Sequence, residues 1–196
     1  IKNEAIGLNY LDIYFRTALY PWPNQEEIKI LGSEAAGKVT EIGAGVKHLK
    51  VGDRVVYVVP VGAYAEYVSV HSKHVAKIPD PVSFDTAAAS LLKGITAYYL
   101  LHDTFSLRSG QTALVHAAAG GVGQLLGQWG SEIGAIMIGT AGGKDKCKTA
   151  SAAKYDYVID YNAQDLVAEV MRITNNQKVH VAYDSVAKSV FPGTMD

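Results

Sequence analysis

Cysteine is all but missing from this chain: Cys147 is the one thiol in 196 residues. Neither an internal disulfide nor a cysteine-rich zinc site can form, and a reducing compartment is implied. Also absent is any apolar run near the roughly 20 residues needed to cross a bilayer. The opening Ile1-Lys2-Asn3-Glu4 lacks the basic, apolar and small-residue order of a signal peptide. We therefore expect a soluble, cytoplasmic protein with no membrane partner. Like charges do not cluster and the formal net charge is -1, so little attracts a phosphate backbone and nucleic acid is a disfavoured partner. No internal repeat or low-complexity tract is present. None of the six histidines stands at a paired metal-ligand spacing with another soft ligand, and no nucleophile elbow marks a Ser-His-Asp triad.

What remains is 48% hydrophobic and 19% charged, enough apolar material for a sizeable core in one large or two small domains. The chain has no initiator Met, opens on residues that read as strand, and closes on Pro192-Gly193-Thr194-Met195-Asp196 without a clear element. It reads as a fragment.

The two halves differ in pattern. In the first, up to about residue 80, glycine or proline punctuates short β-rich runs such as Gly37 to Ile42 and Asp53 to Val59, which predicts a small, irregular β-rich domain. After Pro79-Asp80-Pro81, Ser83 can cap a helix whose apolar positions Ala88, Leu91, Leu92, Ile95 and Tyr99 recur at helical spacing. From there strand and helix alternate: strand Thr112 to His116, helix Val122 to Ile133 stopped by Gly134, and strand Ile136 to Gly139. The strand Tyr157 to Asp160, a helix from Asp165 to Ile173 and the strand Val179 to Tyr183 follow. This alternation predicts a parallel sheet covered by helices. The strands number four, against about six in a full doubly wound nucleotide-binding sheet.

After the strand ending at His116 comes Ala117-Ala118-Ala119-Gly120-Gly121-Val122-Gly123. Gly120 and Gly123 take the second and third glycine positions of the dinucleotide fingerprint, and Ala118 takes the first. The second glycine lets backbone approach a pyrophosphate, the third lets helix and strand pack closely, and the helix N-terminus offers free N–H groups. A glycine turn that merely joins strand to helix could carry the same string, but strand, turn, helix and second strand fall in the required order. An NAD-selective site places Asp or Glu about 20 residues past the start of the fingerprint. Gly139-Thr140-Ala141-Gly142-Gly143 stands there instead, followed by Lys144, Lys146 and Lys148. Cations without a carboxylate favour the 2′-phosphate of NADPH, although each lysine alone would equally suit a solvated helix start.

Further motifs run from residue 5 to residue 186: Ala5-Ile6-Gly7-Leu8-Asn9-Tyr10-Leu11-Asp12, Gly32-Ser33-Glu34-Ala35-Ala36-Gly37, Val51-Gly52-Asp53-Arg54-Val55, Gly62-Ala63-Tyr64, Leu92-Lys93-Gly94-Ile95-Thr96 and Tyr183-Asp184-Ser185-Val186. In these, with His116 to Gly123, the chain resembles the zinc-free quinone oxidoreductases of the medium-chain dehydrogenase/reductase family, zeta-crystallin relatives included. The resemblance implies an α/β fold. A partial GroES-like β-rich catalytic domain would span 1–90 and a partial Rossmann domain with a doubly wound parallel sheet 91–196, the active site lying between them. Family members are longer at both ends, and the whole parent is expected to be a homodimer. Zinc-dependent members hold metal with Cys where this chain has Asn9 and with His where it has Ser33, so no metal is expected.

By the same resemblance, Asn9, Asp12, Tyr14 and Tyr20 line the catalytic site, with Asn9 and Tyr14 the leading polar contacts. Thr96 touches the nicotinamide end. Gly120, Gly121, Val122 and Gly123 meet the pyrophosphate, Lys146 and Tyr161 the adenosine 2′-phosphate, and Ser185 the sheet edge near the cofactor. The residues also carry plainer readings. Tyr10, Tyr14 and Tyr20 suit an aromatic packing cluster, Asp12 a turn, Asn9 a backbone cap and Glu34 a structural hydrogen bond. Gly127 and Gly130 each cost roughly 1 kcal/mol against alanine in a helix, which predicts a weak helix after the fingerprint. Ala187 stands where relatives commonly have glycine. The expected activity is NADPH-dependent reduction of a quinone without metal. Rivals are reduction of an alkenal or enone on the same scaffold, a non-catalytic crystallin-like or RNA-binding role, and an inactive remnant.

Overall fold

Short strands separated by glycine turns pair in the first half because each has one face to bury and neighbours close in sequence. A computed structural model describes residues 1–23, 28–188 and 190–195, and divides the chain into two compact units, Ile1–Leu92 and Lys93–Asp196.

In the first unit, β1 (Lys2–Gly7), β2 (Glu34–Lys38), β3 (Arg54–Val58) and β4 (Val75–Lys77) form an antiparallel sheet in sequence order. The register of β1 on β2 shifts between Asn3 and Ala5. Opposite that bulge Gly37 has no room for a side chain, since a Cβ there would lie 2.0 Å from the Lys2 carbonyl oxygen. The run expected to continue as strand to Ile42 stops at Lys38. Beyond it Val39 exchanges backbone bonds with Asp53 and Gly52 across a turn instead.

The sequence pattern suggested no helix here, yet α1 spans Tyr10–Arg16. Its start is set by a local electrostatic lock rather than by periodicity: the Asp12 carboxylate accepts from the Asn9 backbone N–H at 2.8 Å, an acid answering an exposed donor at a helix N-terminus. Helix α2 (Phe84–Tyr99) opens as its sequence suggests, with the Ser83 hydroxyl accepting from the Thr86 N–H at 3.0 Å.

In the second unit, β5 (Thr112–Val115), β6 (Ile136–Ala141), β7 (Tyr157–Asp160) and β8 (Val181–Tyr183) form a parallel sheet in the order β7-β6-β5-β8. Helices α3 (Gly121–Ile133), α4 (Lys144–Ala152) and α5 (Leu166–Ile173) connect them, and α6 (Phe191–Met195) follows. One face of the sheet buries Val115, Met137 and Tyr155 with Leu126 of α3. The other buries Leu114, Ile138 and Ile159 against Leu166, Val170 and Ile173 of α5. The sheet contains the anticipated four strands, but β6 runs to Ala141, two residues past the expected end at Gly139. The segment around Pro192 and Gly193, read as lacking an element, is helical in α6. Its Thr194 hydroxyl donates to the Val190 carbonyl.

Gly127 and Gly130 are not a weakness of α3. A Cβ on Gly127 would lie 2.4 Å from the Tyr155 ring and 2.5 Å from the Ala153 carbonyl oxygen, and one on Gly130 would lie 2.3 Å from the Met137 sulfur. Their intrinsic cost in helix propensity is the condition for close packing. Ala187, by contrast, adopts φ 56°, a left-handed conformation that burdens an L side chain by roughly 1–2 kcal/mol and that glycine would adopt without that cost. No helix among the described residues is long and apolar enough to cross a membrane.

Replacing Gly127 with alanine is therefore expected to lower stability by about 1–2 kcal/mol, overpacking outweighing the gain in propensity. Thermal or urea unfolding measures it, and an increase in stability would refute the packing account.

Candidate functional site

In an open parallel sheet, ligands bind beyond the carboxyl ends of the strands at the point where strand order reverses. Here β6 and β7 follow β5 to one side while β8 returns to the other, so that point lies at the ends of β5 and β8. The fingerprint turn leaves β5 there.

Within the turn, Ala117 takes φ 52°, so the left-handed residue lies one place before the predicted first glycine position. Ala118 is wholly buried, and its own Cβ would lie 2.7 Å from one placed on Gly139. Gly123 meets the role expected of the third glycine: a Cβ would sit 2.4 Å from the Ala117 carbonyl oxygen and 2.8 Å from the Ala118 Cα. Tyr155 holds the same crossing from the other side, its buried hydroxyl donating to the Gly123 carbonyl at 2.6 Å, and burial pushes its phenol far up. Gly120 is the N-cap of α3, and among the described residues no side chain caps the helix. The first N–H groups of α3, from Gly121, Val122 and Gly123, thus meet no side-chain acceptor, the arrangement that receives phosphate. Gly120 and Gly121 are exposed and Val122 is half-buried.

His116 anchors this end of the sheet. It is buried, with Nδ1 2.9 Å from the Thr140 hydroxyl and Nε2 2.9 Å from the Thr194 hydroxyl. Because the Thr194 hydroxyl already donates to Val190, Nε2 carries the proton and Nδ1 accepts from Thr140. Burial lowers the imidazole pKa against the opposing pull of Asp184, consistent with a neutral ring. Ser185 lies just beyond β8 and is exposed. The neighbouring Asp184 carboxylate accepts from the Val186 and Ala187 N–H groups, both at 2.8 Å.

At the end of β6 the Gly142-Gly143 turn leads into α4, where Lys144, Lys146 and Lys148 are all exposed. Tyr161, 47% exposed, lies over Gly142, where a Cβ would approach its hydroxyl to 2.6 Å. Sequence reading saw no carboxylate at the end of β6. The structure supplies one from the end of β7: Asp160 accepts from the Gly143 N–H at 2.9 Å and the Asn162 N–H at 3.0 Å. Nothing in sequence spacing marks that residue, because β6 and β7 become neighbours only in the sheet. Thr96 is half-buried on α2, one turn past Lys93. The Lys93 side chain packs at Gly121, where a Cβ would lie 2.7 Å from its Cδ.

In the first unit, the four residues expected at the catalytic site gather around α1. Tyr14 packs between Tyr10 and Tyr20, with ring centroids 5.6 and 5.3 Å away, and Phe15 joins Tyr20 to Trp22. The tyrosines are thus an aromatic cluster, with Tyr14 half-buried and Tyr20 46% exposed. Asn9 donates from Nδ2 to Glu34 Oε1 at 2.8 Å, and Leu92 N–H donates to Glu34 Oε2 at 2.7 Å. Glu34, fully buried, has the structural role its glycine-flanked position suggested.

Asp12 is 5% exposed, and its Oδ2 accepts from both Asn9 N–H and the Tyr64 hydroxyl, the latter at 2.9 Å. Its Oδ1 is buried with no hydrogen-bond partner among the described residues. Tyr64 was not among the expected site residues although Gly62-Ala63-Tyr64 is one of the motifs. Its place depends on Gly32, which has φ 96° and no space for a Cβ against the Tyr64 ring. Burial first, then the hydrogen bond and charge of Asp12, push the Tyr64 phenol up to about 12.

The Tyr64 phenol is therefore expected to support folding fully below pH 10, the ordinary tyrosine pKa, and to lose that support as pH rises towards about 12. Tyr64→Phe should flatten that alkaline loss of stability and remove one late-titrating phenol from the tyrosinate absorbance. An unchanged alkaline titration would contradict the Tyr64–Asp12 contact.

Comparison with known proteins places these features in context. Residues 1–80 match the alcohol dehydrogenase GroES-like domain and residues 121–195 the zinc-binding dehydrogenase domain. The whole chain is 44% identical to quinone oxidoreductase 1 of Escherichia coli K12 and 37% identical to a 2-haloacrylate reductase of a Burkholderia species, spanning 60% of the length of each. The crystal structure of Escherichia coli quinone oxidoreductase complexed with NADPH superposes with a TM-score of 0.94 at 44% identity, covering 99% of this chain and 59% of that one.

Proposed function

Because the chain belongs to the quinone oxidoreductase branch of the medium-chain dehydrogenase/reductase family, we propose that the whole protein is an NADPH-dependent, metal-free quinone reductase. The chain spans about 60% of the curated relatives it resembles, so the activity is assigned to the whole protein. The observation that carries the reading is the end of the parallel sheet, where the uncapped start of α3 and the lysine-bearing start of α4 follow adjacent strands.

These residues fit a dinucleotide. Gly120 and Gly123 leave the backbone of the turn bare, and the N–H groups of Gly121, Val122 and Gly123 would hold the pyrophosphate. Lys146 would meet the 2′-phosphate beside Tyr161, with the Asp160 carboxylate oxygen turned onto the Gly143 and Asn162 N–H groups. Thr96 and Ser185 are assigned to the nicotinamide side. When bound, NADPH supplies a hydride equivalent from its nicotinamide C4.

In the first unit, Asn9 and Tyr14 would donate hydrogen bonds to the oxygen on which negative charge develops, lowering the barrier electrostatically. Tyr20 would extend the aromatic wall that receives a planar acceptor. Asp12 would act through α1, holding its N-terminus and Tyr64 in place rather than exchanging a proton. The positions that correspond to zinc ligands in metal-dependent relatives are Asn9, bonded to Glu34, and Ser33, whose hydroxyl donates to the Pro60 carbonyl at 3.0 Å. Neither is a usual zinc ligand, which supports chemistry without a metal. We further propose that the whole protein is cytoplasmic, as its single cysteine suggests, and a homodimer, as the resemblance implies.

A second reading has its own support: the 2-haloacrylate reductase relative carries a name that denotes reduction of an activated alkene. Hydride delivery to such an alkene needs the same donors.

Lys146→Glu is expected to reduce the preference for NADPH over NADH by at least about tenfold, since it replaces a phosphate partner with a repelling charge. Paired binding titrations read the ratio, and an unchanged ratio would remove Lys146 from the 2′-phosphate site. Assay of the whole protein on a quinone and an α,β-unsaturated aldehyde, with product analysis, should show turnover of the quinone. Activity confined to the alkenal would establish the second reading.

A further inference from the structure

Three of the chain's six histidines meet at one turn of the first unit. Ser72–His74 form a single 3₁₀ turn that runs straight into β4, and the His74 N–H closes it by donating to the His71 carbonyl at 2.9 Å. In that geometry side chains three residues apart eclipse one another, which brings the His71 and His74 rings to 6.3 Å between centroids, edge to face. His48 reaches the same turn from the loop before β3, its Nε2 donating to the Ser72 carbonyl at 3.3 Å. All three rings are exposed. A separation of three residues is a shared face only where the segment winds into such a turn, so the sequence did not mark the pair.

Two imidazoles side by side on a closed turn are a chelate for a borderline-soft divalent cation. Imidazole nitrogen suits zinc, nickel and copper ions, with bonds of about 2.0–2.1 Å to zinc, and a second ligand held beside the first binds at a raised effective concentration. The turn is fixed at both ends, by the His74–His71 backbone bond and by the pairing of Val75 with Tyr57. Ordering therefore falls on the ring torsions, whose wells are broad for histidine χ2, and exposed rings are free to turn their nitrogens towards one ion. The Lys73 N–H donates to His71 Nδ1 at 3.3 Å, a long bond at an exposed turn where water can replace it, so both nitrogens of His71 are open to metal. Lys73 itself falls on a different face, since a 3₁₀ turn has three residues. The described residues hold no group of three His, Cys, Asp or Glu placed for a metal ion, so the pair supplies two positions and water the rest.

We propose that His71 and His74 form a binding site for a divalent transition-metal ion of the zinc, nickel or copper class, open to water on its outer side. His48 stays on the Ser72 carbonyl and pins its own loop to the metal-bearing turn. The site shares no residue with those assigned to the acceptor or the nucleotide, and the reduction remains free of metal. A bound ion stabilises the first unit by mass action, because the unfolded chain does not hold the two rings together.

The test is calorimetric titration of the chain with zinc and nickel ions, in a Cys147→Ser background so that the lone thiol takes no metal, compared with His71→Gln and His74→Gln in the same background. Magnesium, which prefers oxygen ligands, is the control. The expected result is one saturable site per chain, an affinity loss of about tenfold or more in either variant, and no binding of magnesium. Imidazole NMR signals give a second reading that does not depend on a variant: zinc should shift those of His71 and His74 together and leave that of buried His116 in place. Absence of saturable binding, unchanged affinity in either variant, or zinc-induced shifts confined to other histidines would overturn the site.

Discussion

Helix α3 packs so closely on the fingerprint turn, on β6 and on the segment before β7 that no Cβ fits at Gly123, Gly130 or Gly127, and Gly139 of β6 is closed in the same way by Ala118 and Tyr155. Much of the second unit follows from that closeness. Gly123 sets the backbone of the turn against Ala117 and Ala118, and the Tyr155 hydroxyl locks the crossing through the Gly123 carbonyl. With the helix so close, its first N–H groups open directly beyond the carboxyl end of β5, where the strand order reverses. A wider spacing would relieve the glycines of their cost in propensity but would move the positive helix end away from the end of β5.

The first unit depends on a different kind of constraint, a chain of buried polar contacts. Asp12 ties the start of α1 to Tyr64, while Asn9 ties the same start to Glu34 on β2. Buried carboxylates are costly to leave unpaired, so the bonds to Asp12 Oδ2 and to Glu34 together fix the orientation of α1. That fixes the Tyr14 and Tyr20 rings against one another without any of them needing to belong to an apolar core. The carboxylates of Asp12 and Glu34 thus serve as acceptors that position α1 and Tyr64.

Local signals carried most of the second unit. Ser83 and Gly134 mark a helix start and stop because a hydroxyl and a left-handed glycine answer groups within four residues of themselves. The strand–turn–helix–strand order is equally local. Three features were not legible. Helix α1 is too short for its apolar spacing to stand out. The end of β6 extends to Ala141 because pairing with β7 continues to Asp160. Gly127 and Gly130 looked like weaknesses because propensity is a property of one helix, whereas their value lies in Tyr155 and Met137 on other segments.

The amino-acid sequence by itself determined the α/β alternation, the fingerprint turn, the basic start of α4 and the family to which the chain belongs, all of them patterns of residue type at short spacing. Tertiary structure alone decided which groups meet: Tyr64 on Asp12, His116 between Thr140 and Thr194, Asp160 on Gly143, and Lys93 on Gly121. The partners in these contacts are between 17 and 78 residues apart. Contacts over such spans depend on sheet order and helix position, which no local run of side chains encodes, so the chemistry of the site became readable only once the strands were placed side by side.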